Sequence, residues 1–280
     1  MHEGPWRLPI RRVRVTRFGP DGDRVADHDA VGTEEPMEVR LHGAPFAVIM
    51  RTPGADRELA AGFLLSEGVI RGNADVGAIE LCRHPDHPDA HNVVDVYLIG
   101  RAAGEAAARL DARRHVLTTS SCGLCGRTTI ESLQTRAAPL PVDWRVTAEF
   151  AAALPGRLRG RQAIFEETGG LHAAGLFSLD GTCESSAEDI GRHNAVDKVI
   201  GAMLLEERLP MSRHVLVVSG RASYEIVQKA WLAGVACICA VSAPSSLAVD
   251  LAVEAGITLL GFVRGGGFNA YTHAERISSR

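Results

Sequence analysis

Between Val215 and Val263 three apolar runs alternate with two helical stretches, and no other feature constrains the fold of this chain as tightly. Val215–Val218, Val235–Val241 and Ile257–Val263 read as strands, with Tyr224–Leu232 and Leu247–Glu254 as the helices between them. Strands joined by single helices make right-handed crossovers and lie parallel in a sheet covered on both faces. That order excludes all-α and all-β architectures and predicts the α/β class. Upstream, Thr147–Leu158 reads as a helix, Leu171–Leu179 as a strand, Asp180-Gly181 as a turn and Asp189–Leu205 as a helix.

The first part of the chain reads differently. Arg11–Phe18 alternates basic and apolar residues, the pattern of a half-exposed strand, and Pro20-Asp-Gly-Asp is a turn. Met37–Leu41 and Phe46–Met50 flank a turn and predict a hairpin. Arg57–Ile70 begins as a helix with Leu59, Phe63 and Leu64 facing inward, Asn92–Ile99 is a strand, and Ala102–Arg113 is an alanine-rich helix. Residues 1–112 are therefore expected to form a smaller α+β lobe and residues 113–280 an α/β domain.

The sequence has 280 residues, long enough to bury roughly three quarters of its unfolded surface without staples. With 46% hydrophobic and 23% charged residues and a net charge of −4, it is neither a disordered chain nor a broadly basic nucleic-acid binder. No apolar run reaches the ~18 residues of a membrane helix, and the start of the chain lacks the apolar core of a secretory signal. The expectation is a cytoplasmic protein with no membrane partner, whose six cysteines stay reduced and serve chemistry rather than scaffolding.

Cys122-Gly-Leu-Cys125 is the sharpest local motif. Gly123 and Gly126 relieve the backbone, and a helix is expected to open at Arg127. A cysteine at a helix start meets free N–H groups and the positive end of the dipole, both of which favour the thiolate. Three other readings compete: half of a zinc site completed by Cys82, His84, His87 and His91; a thioredoxin-like pair; and an inert buried pair. Cys237 and Cys239 lie two apart in an apolar strand and read as core, while Cys82 and Cys183 read as incidental.

Three turns follow the three parallel strands: Ser219-Gly-Arg-Ala-Ser223, Ser242-Ala-Pro-Ser-Ser246 and Arg264-Gly-Gly-Gly-Phe-Asn269. In open α/β sheets ligands bind at the carboxyl ends of strands. Two of the turns open helices, whose free N–H groups attract phosphate. Arg221 and Arg264 can fork onto phosphate oxygens, and Gly265, Gly266 and Gly267 let a ligand approach the backbone. Ser219 and Ser242 join them in a candidate crevice for a nucleotide-like molecule. Asp189 to Lys198 is densely polar. His193 and Asp197 share a helix face, and Asp189 or Asn194 can accept from Arg192. That set either orients a ligand or is a capped, solvated helix start. His172 lacks the Glu two residues on that zinc deaminases use, since position 174 is Ala.

Taken together, six segments in order resemble the formate dehydrogenase accessory sulfurtransferase family (FdhD). They are Thr118-Thr-Ser-Ser-Cys-Gly-Leu-Cys-Gly, Thr168-Gly-Gly-Leu-His-Ala-Ala, Glu188-Asp-Ile-Gly-Arg-His-Asn-Ala-Val-Asp-Lys-Val-Ile-Gly, Val218-Ser-Gly-Arg-Ala-Ser, Val241-Ser-Ala-Pro-Ser-Ser and Gly261-Phe-Val-Arg-Gly-Gly. Arg51-Thr-Pro-Gly and Glu58-Leu-Ala-Ala-Gly-Phe-Leu-Leu-Ser-Glu-Gly match the family's first half. The resemblance implies an enzyme that takes sulfane sulfur from a cysteine desulfurase and delivers it to the molybdenum or tungsten bis-guanine-dinucleotide cofactor that formate dehydrogenase needs. That cofactor is then a ligand in transit, and the protein holds neither a tight cofactor nor a metal of its own. Cys122 matches the persulfide-bearing cysteine and Cys125 the second thiol of the loop. Phe262, Val263, Arg264, Gly265, Gly266 and Gly267 match the stretch assigned to the cofactor, although many members carry Arg where this chain has Gly267. The resemblance further implies a homodimer and a cytidine-deaminase-like three-layer sandwich beside the smaller lobe. A carrier that binds the cofactor with no covalent role for sulfur is the alternative.

Overall fold

The structure is a computed structural model that describes residues 8–82, 90–113 and 138–279. Cys122, Cys125, the helix expected after them, and His84 and His87 lie outside the described residues.

The protein begins with a two-stranded antiparallel ribbon, β1 (Ile10–Phe18) and β2 (Arg24–Gly32). A four-stranded sheet follows, made of β3 (Glu35–Leu41), β4 (Ala44–Arg51), β5 (Val76–Leu81) and β6 (Val93–Leu98) in the order β4-β3-β6-β5. The helices α1 (Asp56–Ser66) and α2 (Gly100–Arg113) belong to this half. The predicted hairpin is β3–β4, and Leu59, Phe63 and Leu64 are buried as expected.

The larger sheet has six strands in the order β13-β12-β11-β10-β8-β9. Its members are β8 (His172–Ser178), β9 (Cys183–Asp189), β10 (His214–Val218), β11 (Cys237–Ala240), β12 (Thr258–Arg264) and β13 (Gly267–Ala270). As the alternation predicts, β10, β11 and β12 are parallel and connected by α6 (Tyr224–Leu232) and α7 (Ser246–Ala255). The sheet as a whole is mixed, because β8, β9 and β13 run antiparallel to their neighbours. The helix expected from Asp189 starts instead at Arg192, as α5 (Arg192–Leu205). Asp189 is the last residue of β9, a strand whose polar sequence CESSAED carries no apolar alternation to reveal it. The middle parallel strand is also shorter than its apolar run, Cys237–Ala240 against Val235–Val241.

Helices cover both faces of this sheet. Leu216, Ile238 and Leu259 point toward α5, α6 and α7, whereas Val215, Val217 and Leu260 pack with Ala151, Leu154 and Leu158 of α3 (Ala148–Arg159). Cys237 and Cys239 are fully buried on the α3 side, where Cys237 and burial push the Cys239 thiol well up, so this pair is inert core as expected. A short strand β7 (Val146–Thr147) pairs with β14 (Ile277–Ser278), and α4 (Ala163–Thr168) precedes β8.

The two halves share one core. Helix α1 crosses α5 at Gly62 and Gly201, where a Cβ on either glycine would collide with the backbone carbonyl of Asp197 or Glu58. Small residues at such a crossing bring the helix axes close and bury both faces.

Candidate functional site

The three turns expected to form a crevice are neighbours at the carboxyl edge of the parallel strands. Ala222 and Pro244 form a parallel bridge, and Ser245 N donates to Ala222 O at 3.0 Å. Phe262 N donates to Ser242 O at 3.2 Å, and a Cβ on Gly261 would meet Pro244 Cδ at 2.9 Å. Only glycine lets β12 lie this close to the second turn.

The predicted crevice residues are all described, whereas Cys122 and Cys125 are not. Arg221 and Arg264 are exposed, while Ser219 and Ser242 are half-buried. The Ser219 hydroxyl is engaged locally, accepting from Ala173 N at 2.9 Å. Ser245 caps α7 by accepting from Ala248 N, whereas Ser223 leaves the first turn of α6 without a side-chain cap. The Ser223 hydroxyl instead lies 3.1 Å from His193 Nε2 and donates to Glu225 at 3.2 Å. His193 Nε2 is 2.6 Å from Glu225 Oε2, and both groups are buried. Burial pushes the Glu225 carboxyl up, but the hydrogen bond and charge of His193, with Lys229 and Ser223, outweigh it and hold its pKa below the usual value.

The glycine run has a structural explanation in addition to the expected one. Gly265 and Gly266, with φ of 61° and 81°, form a two-residue turn that returns β12 as β13, with Arg264 paired to Gly267. Among the described residues no atom approaches within 4 Å of a Cβ built on Gly265, Gly266 or Gly267, apart from their own chain neighbours. Val263 is a core residue with no side-chain exposure, which leaves only its backbone to the crevice. Phe262 has φ of 54°, strained for an aromatic residue, and the Arg264 guanidinium sits 5.4 Å from its ring.

The polar run Asp189–Lys198 is buried, not a solvated helix start, and most of it is scaffold. Asp189 accepts from Thr52 N and from Asn194, and pairs with Lys198 at 2.7 Å. Arg192 therefore takes neither expected partner: Asp189 is filled by Lys198, and Asn194 donates to Asp189 and to Met50 O. Glu188 receives the N–H groups of Ile164 and Phe165 at the start of α4. Asp197 turns away from His193 and takes Lys229 at 2.7 Å. Arg51 forks onto Asp56 at 2.9 and 3.0 Å, fixing the start of α1.

Two residues beside the crevice were not singled out as ligands. Arg192 Nε is buried with no partner among the described residues. His172 opens β8, and a Cβ on Gly220 would lie 3.4 Å from its Nδ1 and 3.6 Å from Arg192 Cδ. Burial, then the charges of Arg192, His193 and Arg221, lower the His172 pKa and keep the ring neutral. An i,i+4 reading of the helix misses this pair because His172 comes from another strand. Trp231 is buried and donates to Ala138 O, whereas Tyr271 is partly exposed beside Gly261. Among the described residues no cluster of His, Cys, Asp and Glu is fit to hold a metal ion, and no helix is long and apolar enough to cross a membrane.

Comparison with known proteins agrees over nearly the whole length. A sulfur carrier protein FdhD from Streptomyces coelicolor is 50% identical over 274 residues, 96% of each chain. Its namesake from Nocardia farcinica is 49% identical over 278 residues, covering 98% of this chain and 96% of the relative. A crystal structure assigned as a formate dehydrogenase accessory protein, from Desulfotalea psychrophila, superposes with a TM-score of 0.76 at 25% identity, covering 97% of this chain and all of the other. Residues 32–278 match the FdhD/NarQ family. With its crevice, its buried Asp189–Lys198 frame and relatives at half identity, the chain belongs to that family.

Proposed function

We propose that this protein is a sulfurtransferase of formate dehydrogenase maturation. The Cys122 thiolate attacks the outer sulfur of a persulfide on a cysteine desulfurase. A new S–S bond forms, the donor's S–S bond breaks, and the donor leaves as its thiolate. The sulfur is then delivered to the molybdenum or tungsten bis-guanine-dinucleotide cofactor. Releasing sulfane sulfur as sulfide takes two electrons. Cys125 supplies them by attacking Cys122 and leaving a disulfide, which a dithiol reductant reopens. The carrier alternative lacks this covalent step.

The observation that supports the reading is the crevice itself. It offers the exposed Arg221 and Arg264 and the uncapped start of α6, with Arg192 Nε unpartnered among the described residues beside Gly220, which suits the diphosphates of a guanine dinucleotide. The neutral His172 and the open backbone of Gly265–Gly267 leave room for a flat ligand to approach. By the same reading the protein acts in the cytoplasm as a homodimer, with the dehydrogenase as client.

The test separates cofactor binding from sulfur chemistry. In cells lacking the wild-type protein, Cys122→Ala is expected to leave the dehydrogenase inactive while the purified variant still binds GDP. Arg221→Ala with Arg264→Ala is expected to weaken GDP binding and spare sulfur loading. An active dehydrogenase with Cys122→Ala would favour the carrier.

A further inference from the structure

We propose that the β1–β2 ribbon is a docking arm for a protein partner, whose acidic, extended segment adds to the free edge of β1. The inference does not depend on the sulfur-transfer reading. The ribbon lies almost wholly ahead of residue 32, where the family match begins, and none of the crevice residues comes from it.

The two strands pair along their whole length, from Ile10 opposite Gly32 to Phe18 opposite Arg24. At ~3.4 Å per residue the arm is about 30 Å long. A two-stranded ribbon is marginal in water unless a third strand or another element covers it. Here β2 packs on α4, and Gly32 abuts Leu171. Among the described residues β1 has no strand partner except β2, so its outer N–H and C=O groups form an open edge.

The pleat sorts charge between the two faces. On one face Arg17 is held by Asp27 at 2.7 Å and by Asp29 at 3.5 Å, and these are the only carboxylates on the ribbon strands. The other face carries Arg12, Arg14, Arg24 and His28 and no carboxylate. Arg12 and Arg14 have no ion pair among the described residues, and Arg24 lies over the ring of Phe18, itself 65% exposed at the tip. An added strand would set its alternate side chains opposite Arg12 and Arg14. Those side chains are therefore acidic. A ribbon from a second copy is a poor match, because its Asp27 and Asp29 are already paired. A nucleic acid is a poor match for a chain of net charge −4 whose basic face carries only Arg12, Arg14 and Arg24.

The test uses the full-length protein and a labelled synthetic octapeptide of alternating Glu and Val. Binding is expected to slow amide hydrogen exchange within residues 10–18. It should weaken with added salt and fall about tenfold in Arg12→Gln/Arg14→Gln, the scale of two cross-strand charge pairs. A peptide of alternating Lys and Val should not bind. Unchanged exchange in β1, or equal binding by the variant, would overturn the proposal. So would comparable affinity for an RNA duplex, or self-association in sedimentation that the variant abolishes.

Discussion

Lys229 and Asp197 illustrate how this protein places charge in its interior. The ammonium lies 2.7 Å from both carboxylate oxygens, and the Ser66 hydroxyl lies 2.9 Å from one of them. Removing one member of such a pair strands a buried charge. Lys229→Met is expected to cost about 3–5 kcal/mol in chemical denaturation, with part of the loss restored when Asp197→Leu is added. A double variant no more stable than the single one would refute this account of the pair. His172 makes a second prediction at this scale. Its folded pKa lies below the unfolded value of 6.5, mainly through burial and then Arg192. Above pH 6.5 the ring is neutral in both states and its contribution is complete. As pH falls toward the folded value the unfolded chain takes up the proton first, and stability drops. His214 is lowered by burial and acts in the same direction. His172→Gln should therefore flatten the fall in denaturation midpoint between pH 7 and 5, and superimposable profiles would contradict the shift.

Among the elements, the crossing of α1 and α5 decides whether the halves stay joined. Gly62→Ala or Gly201→Ala places a methyl group against rigid backbone, and each should cost roughly 1–3 kcal/mol, the usual penalty of overpacking. Thermal unfolding read at both sheets would show one destabilised transition, and an unchanged Tm would mean that the helices part without strain. This contact was invisible in the sequence, since periodicity marks a buried helix face without naming the face it meets. The apolar strands β10, β11 and β12 were legible because parallel strands covered on both sides read as unbroken hydrophobic runs. Strands β2 and β9 were not, because RVADHDAVG and CESSAED hold little apolar alternation and owe their conformation to their neighbours. The crevice was legible as three turns after three strands. The approach of His172 and Arg192 to Gly220 of the first turn was not, because the three residues come from separate elements and only the fold brings them together.

For the whole molecule, one core spanning both halves means that the crevice is anchored by residues from the first half of the chain. Thr52 receives the Lys198 ammonium on its carbonyl at 2.8 Å and the Ile190 N–H on its hydroxyl at 3.1 Å. Thr52→Val keeps the side-chain volume but leaves Ile190 N unpaired, so it is expected to cost about 1–3 kcal/mol and to weaken GDP binding with it. The segments that carry the family resemblance therefore play two different roles. Arg51-Thr-Pro-Gly and Asp189–Lys198 hold the frame, and the turns after β10, β11 and β12 line the crevice. The central claim, that Cys122 carries sulfur in transit, is tested most directly by mass spectrometry of the protein after incubation with a cysteine desulfurase and cysteine. The account predicts a gain of one sulfur atom on the peptide containing Cys122, retained in Cys125→Ala and absent in Cys122→Ala. Sulfur that loads equally onto Cys122→Ala, or no gain on the wild-type protein under conditions where the desulfurase turns over, would contradict it.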